Sequence, residues 1–236
     1  MNARADGSIG DRLRLVLDRI DRAAETSGRG RESIRLVAAT KSVSAERIRE
    51  AIAAGLRFAG ENRLQEALPK IEVLRGEPIR WHFIGQLQRR KVRDVVGAFD
   101  VIHSVDSLEL ASEINRRAGE AGLRQAVLLE VNVGGETTKA GFQPDRLEEI
   151  LPRICGLQHL DIRGLMTIPP PVGDAEQARP YFRRLRELAG RLSHQVVSAA
   201  SMDELSMGMS NDYTVAIEEG ATMVRVGTAI FGMRHE

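Results

Sequence analysis

Cysteine is almost missing from this chain. Cys155 stands alone among 236 residues, which excludes an internal disulfide and a thiolate metal cluster and fits a reducing compartment. Charge excess is missing too: 34 Lys and Arg face 33 Asp and Glu, for a net +1, so the strong basic bias of a nucleic-acid-binding domain is absent. No apolar run approaches the roughly 20 residues of a membrane span. The first ten residues lack the apolar core of a secretory signal, so a soluble cytoplasmic protein is expected, with neither nucleic acid nor membrane as partner. The histidines His82, His103, His159, His194 and His235 are dispersed, without metal-ligand spacing. His82 and His103 fall within strand segments, where satisfied core histidines are the simpler explanation. A serine hydrolase would need G-x-S-x-G; the nearest stretch, Gly208 to Asp212, lacks the second glycine.

What is present is alternation. Short apolar runs at 34–40, 57–60, 81–85, 101–105, 126–133, 162–168, 205–208 and 223–227 are separated by helical patterns. Residues 1–8 are small and polar and are expected to be frayed. Leu13, Leu17, Ile20 and Ala24 then mark a helix ending near Gly28 and Gly30. Further stripes are Ile48, Ala51 and Ile52; Leu64, Ala67, Leu68 and Ile71; Leu108, Ala111 and Ala118; Leu147, Ile150, Leu151 and Ile154; and Phe182, Leu185, Leu188 and Leu192. Ser44, Asp106 with Glu109, and Asp145 with Glu148 serve as expected caps. Pro69 is expected to kink or interrupt its helix. The runs are continuous, as strands buried on both faces should be. Eight such units in this length, hydrophobic over 42% of it, predict a single-domain α/β protein over 1–236, a (β/α)8 TIM barrel. An open doubly wound sheet would want a Gly-rich loop after an early strand, and the first run ends in Ala39, Thr40, Lys41, Ser42.

In such a barrel the chemistry gathers at the carboxyl ends of the strands. Those ends are Lys41; Glu61 and Asn62; Gly85 and Gln86; Ser104; Asn132; Met166 and Thr167; Ser206 to Ser210; and Arg225 to Thr228. A lysine just after a buried strand is expected to be partly desolvated, which favours the neutral, nucleophilic amine; the plain alternative is a surface lysine. The loops after strands seven and eight offer Ser210, Gly227 and Thr228 with backbone N–H groups, a frequent phosphate seat in barrels; the alternative is two ordinary loops. The two features share one rim, because strand eight closes beside strand one. A ligand with an aldehyde at one end and a phosphate at the other would bridge them, and pyridoxal 5′-phosphate (PLP) is such a ligand. Arg225, pointing inward, would then face the pyridine nitrogen, or else form a buried structural ion pair.

These residues resemble a known family. Leu36 through Lys41, Gly60 through Asn62, Trp81 through Gly85 with Leu87 and Gln88, Gly164 through Met166, Leu205 through Ser210 and Val224 through Gly232 are similar to the pyridoxal phosphate homeostasis family, also called YggS-like. The resemblance spans about Leu36 to Gly232. It implies a barrel similar to the N-terminal domain of alanine racemase, with PLP held on Lys41 as a Schiff base. It implies that Ser210, Gly227 and Thr228 hold the phosphate, that Arg225 faces the ring nitrogen, and that Asn62, Ile84 and Ser206 line the site. It implies a carrier or regulator in vitamin B6 homeostasis without established catalysis, with PLP-dependent apo-enzymes as partners. The chain departs from the family pattern at Arg63, where a tyrosine is common, and between Gln86 and Lys91, including Arg90. The basic cluster Arg89, Arg90, Lys91 and Arg93 reads as a solvated helix face, with an anionic partner as the alternative.

Racemisation needs a second acid–base group opposite the lysine. The only tyrosines are Tyr181 and Tyr213, and only Tyr213 falls near the rim. Racemases of similar barrel type supply that group from a second domain, so a monomeric holder of PLP is favoured over an enzyme. The alternatives carried forward are a PLP-dependent enzyme with weak racemase-like activity, a Schiff-base aldolase and a protein-interaction module.

Overall fold

The computed structural model describes residues 7–195 and 200–232. Eight parallel strands close into a barrel in chain order: β1 (Arg35–Ala39), β2 (Phe58–Glu61), β3 (Arg80–Phe83), β4 (Val101–Val105), β5 (Gln125–Glu130), β6 (Leu160–Met166), β7 (Ala200–Ser206) and β8 (Met223–Val226). Around them run α1 (Ile9–Thr26), α2 (Ala45–Ala53), α3 (Leu64–Val73), α4 (Val92–Val95), α5 (Leu108–Glu120), α6 (Pro144–Cys155), α7 (Arg179–Ser193), α8 (Tyr213–Glu218) and α9 (Thr228–Phe231). This is the (β/α)8 barrel expected from the alternation.

Strand pleating sorts the side chains into two cores. Leu36, Ala38, Ile102, Val127, Leu129, Val224 and Val226 point outward and pack under the helices. Val37, Val101, Ala126, Leu128, Met166 and Met223 fill the barrel interior. Both faces are therefore buried, which is why the strands read as unbroken apolar runs. The seam closes where β8 pairs with β1, setting Val37 against Arg225 and Ala38 against Val226. α1 covers this seam by packing on α8, α9 and α2, and Arg12 ties it to the Ile230 carbonyl at 2.7 Å.

Several local expectations need correction. The ordered chain starts before residue 9: Ser8 and Asp11 form a capping box at the head of α1, which fixes residues 7 and 8. Residues 1–6 and His235 lie outside the described residues. Ser107, not Asp106, caps α5, its hydroxyl accepting from the Leu110 N–H at 3.3 Å. α6 starts at Pro144 behind Gln143, one residue before Asp145, since proline's fixed φ suits the first helical position. Pro69 does not end α3, which continues to Val73. β7 begins at Ala200, ahead of the apolar run, because its first residues are mixed polar and pair with β6 through an irregular register. Ser44 caps α2 as expected.

Candidate functional site

At the carboxyl ends of the strands lies a cavity of about 560 Å³, lined by Lys41, Ser210, Arg225, Gly227 and Thr228 and walled by Pro169 to Gly173. That volume is in the range of small-molecule sites. The lysine from β1 and the hydroxyl and glycine loops after β7 and β8 thus share one chamber, through the β8–β1 seam. Three other residues implied by the resemblance do not reach its wall. Ser206 is buried beneath Arg225. Ile84 packs on the interior core, and Asn62 backs onto Gly85, where a Cβ would meet the Asn62 carbonyl at 2.4 Å.

Lys41 is exposed, contrary to the desolvation expected of it. It sits beyond the last ladder residue of β1, in a turn whose next residue, Ser42, adopts φ 59°. Its backbone is nonetheless gripped on both sides. The Ser42 N–H donates to Glu66 of α3 at 3.0 Å. The Thr40 carbonyl accepts from Lys70 of α3 at 2.8 Å, and Lys70 also meets the buried Glu61 carboxylate at 2.8 Å.

Opposite Lys41, the Gly227 N–H donates to the Ser210 hydroxyl at 3.3 Å, joining the two loops. A Cβ at Gly227 would stand 3.1 Å from the Ala39 carbonyl, so the close approach of β8 to β1 leaves little room for a larger residue. Asp212 precedes α8, but its carboxylate does not cap the helix; it accepts from the Met209 N–H at 2.6 Å. Burial pushes that carboxyl above the usual range, against the pull of the Met209 N–H and Arg225.

Among the described residues Arg225 forms no structural ion pair of the kind weighed above; it donates to the Ser206 carbonyl at 2.8 Å, the Ser206 hydroxyl at 2.5 Å and the Thr167 carbonyl at 2.8 Å. Burial lowers its pKa to about 10, with Glu130 and Asp212 pulling upward through space. A guanidinium remains charged at neutral pH even so. Glu130, at the end of β5, is pushed up to about 7 by burial, then by Asp106, while Arg225 opposes the shift.

Sequence reading missed Lys139, which lines the cavity and pairs with Glu136 at 2.7 Å. Its position in the loop after β5 was the available signal, since barrel sites draw on those loops. Tyr213 is buried in the outer core rather than in the cavity wall. The departures from the family pattern are peripheral: Arg63 lies 3.5 Å from Glu66, and Arg90 donates to Gln88 at 3.0 Å. Among the described residues no cluster of His, Cys, Asp and Glu could hold a metal ion, and no helix is long and apolar enough to cross a membrane.

A family model described as the alanine racemase N-terminal domain matches residues 15–235. The pyridoxal phosphate homeostasis protein of Aquifex aeolicus (strain VF5) is 49% identical over 224 residues, covering 95% of this chain and 97% of that one. Its counterpart in Escherichia coli (strain K12) is 40% identical over 229 residues, covering 96% and 97%. PipY of Synechococcus elongatus PCC7942, solved with PLP bound, superposes with a TM-score of 0.84 at 40% identity, covering 95% of this chain and all (100%) of that one. Alanine racemase of Clostridium difficile 630 shares the fold, with a TM-score of 0.70 at 17% identity over 57% of its own length.

Proposed function

The chain belongs to the pyridoxal phosphate homeostasis family, and from that membership we propose that it holds PLP on Lys41 and serves vitamin B6 balance in the cytoplasm. The observation that carries the proposal is the shared cavity: an exposed amine on one wall, a hydroxyl-and-glycine cradle on the other, and a buried guanidinium at its floor. The residues fit the group. Lys41 would hold the group covalently through its ε-amine, the aldehyde oxygen leaving as water. Ser210, Gly227 and Thr228 would hold the phosphate with hydroxyl and N–H donors. Arg225, which only donates, would offer the ring nitrogen a hydrogen bond and so favour its unprotonated form. PLP supplies an electron sink to amino-acid chemistry, and an unprotonated ring weakens that sink. Asn62 and Ile84, which the resemblance puts at the site, stand outside the cavity wall, and the Asn62 Oδ1 is buried without a partner.

Holding fits this chamber better than turnover. Among the described residues, the cavity wall carries as titratable groups besides Lys41 only Lys139 and Asp212, each engaged elsewhere, and Arg225, which does not give up its proton. Among the described residues no tyrosine lines the wall to act opposite Lys41. The chain works as a monomeric, single-domain carrier whose recipients are PLP-dependent apo-enzymes.

The test is to load the purified protein with PLP, reduce it with borohydride and map the modified peptide. A pyridoxyl group on Lys41, with loss of the yellow colour, is expected. An unmodified Lys41 in excess PLP would overturn the proposal. Optical rotation of single-enantiomer amino acids should stay constant in the presence of loaded protein; loss of rotation that disappears in Lys41→Ala would sink the carrier reading.

A further inference from the structure

Below the cavity, a file of polar side chains runs down the barrel interior. Arg225 donates to the Ser206 hydroxyl at 2.5 Å. That hydroxyl lies 2.9 Å from Nδ1 of His103, and Nε2 of His103 lies 2.8 Å from Nδ1 of His82. All four residues are buried, with exposures of 4% for Arg225, 0% for Ser206 and His103 and 1% for His82.

The direction of this chain follows from its first member. A guanidinium has only donors, so the Ser206 oxygen accepts from it. The Ser206 proton then needs an acceptor, and His103 Nδ1 is the one within reach. A neutral His103 carries its own proton on Nε2 and donates it to His82 Nδ1, which leaves the His82 proton on Nε2. The reverse order would make Ser206 accept from both neighbours and strand its hydroxyl proton in a dry interior, at the cost of an unsatisfied buried donor. Neutrality of both rings accords with their surroundings: burial above all holds His82 down to about 3 and His103 well below the usual imidazole range. The same dipoles meet the charge of Arg225, which Glu130 and Asp212 reach only through space.

We propose that His103 is a positioning residue for Arg225: acting through Ser206, it locks the guanidinium in one orientation, so that its unused N–H donors face the cavity. Three N–H donors go to Ser206 and Thr167, and the rest of the fork is left for a ligand acceptor. What that donor meets in the cavity rests on the proposed PLP function; the lock itself does not. His82 supports His103 from beneath, with ring centroids 5.0 Å apart.

The first readout uses the protein without cofactor. Long-range ¹⁵N–¹H spectra of histidine-labelled protein should show His103 and His82 both protonated on Nε2 across neutral pH, and the Arg225 guanidinium should rotate slowly about its Nε–Cζ bond. His103→Phe and Ser206→Ala should both speed that rotation, and Ser206→Thr, which keeps a hydroxyl, should restore it. Should His103→Phe fail to fold, the Ser206 pair carries the measurement alone. The second readout uses PLP labelled at the ring nitrogen. Ser206→Ala should weaken PLP binding by about tenfold and shift the ring-nitrogen resonance. An Nδ1 proton or a positive charge on His103, or a guanidinium equally slow in Ser206→Ala, would overturn the lock. Wild-type protein that fails to take up PLP would defeat the proposed function instead, with the rotation rates still deciding this inference.

Discussion

The ammonium of Lys70 lies 2.8 Å from the carbonyl of Thr40, the peptide immediately before Lys41. It also neutralises Glu61, a fully buried carboxylate that accepts from the Thr40 hydroxyl at 2.7 Å. Removing one partner of a buried pair leaves the other uncompensated. Lys70→Met should therefore destabilise the protein by about 3–5 kcal/mol, whereas the double change Lys70→Met with Glu61→Leu should cost less than the single one. Urea denaturation of the single and double variants measures the difference.

Gly164, in β6, has φ 155°, and a Cβ there would sit 1.9 Å from the backbone oxygen of Glu204 in β7. The two strands would have to separate. Gly164→Ala should cost at least about 3 kcal/mol, by overpacking that no rotamer change can relieve. Gly122, at φ 67° with nothing within 4 Å of its added Cβ, provides the control. Gly122→Ala pays only the left-handed backbone penalty, about 1 kcal/mol. Thermal melts of both variants decide the contrast.

The proposed phosphate seat and the lysine can be probed separately. Ser210→Ala with Thr228→Val removes two hydroxyls that line the cavity opposite Lys41. Lost hydrogen bonds to a charged group correspond to about ten- to a hundredfold in affinity. PLP binding should weaken by that factor while pyridoxal, which lacks the phosphate, binds as before. Equal losses for both ligands would place the phosphate elsewhere.

Buried neutral histidines make the fold sensitive to acid. His82 is depressed from 6.5 to about 3, so below 6.5 the unfolded chain takes up a proton that the native state refuses. Stability then falls as pH drops from 6.5 toward 3, by up to about 1.4 kcal/mol per pH unit for each such group. A His82→Leu, His103→Leu variant should show a flatter decline in urea stability over this window, whatever its stability at neutral pH.

Glu130 has the opposite sign. Its folded pKa of about 7 exceeds the ordinary 4.5, so the native state binds the extra proton between these values and the Glu130 contribution to stability declines as pH rises through them. The full cost above pH 7 is bounded at about 3 kcal/mol. Between these values Glu130 opposes the rise in stability with pH that the buried histidines produce, so Glu130→Gln should steepen that rise relative to the wild type. An unchanged slope in equilibrium unfolding would refute the assignment.

The barrel was legible because its strands are buried on both faces and its helices on one, two periods that leave plain marks in sequence. β4 shows this well: all five residues from Val101 to Val105 are buried, and the run has the same limits as the strand. β7 shows the converse, since its first half mixes polar residues and only pairing with β6 reveals it. Lys41, Ser210, Arg225, Gly227 and Thr228 could be gathered from the strand-end rule together with barrel closure. The clamp by Glu66 and Lys70 could not, because those contacts join residues 24 and 30 positions apart through side chains that look like ordinary helix-surface charges. Nor could the role of Ser206: its inward position follows from strand alternation, but its partners come from β4 and β8. The cap at Ser107 was misread because Asp106 and Ser107 are both good caps, and only backbone geometry separates them.

The pairing of β1 with β8 draws the chamber from opposite ends of the polypeptide, Lys41 near the start and Arg225 to Thr228 near the finish. A growing chain therefore carries the amine proposed to take PLP long before the opposite wall exists. A vitamer able to grip both walls selects only molecules whose ring has shut, so loading rewards completion of the fold and opposes reopening of the seam.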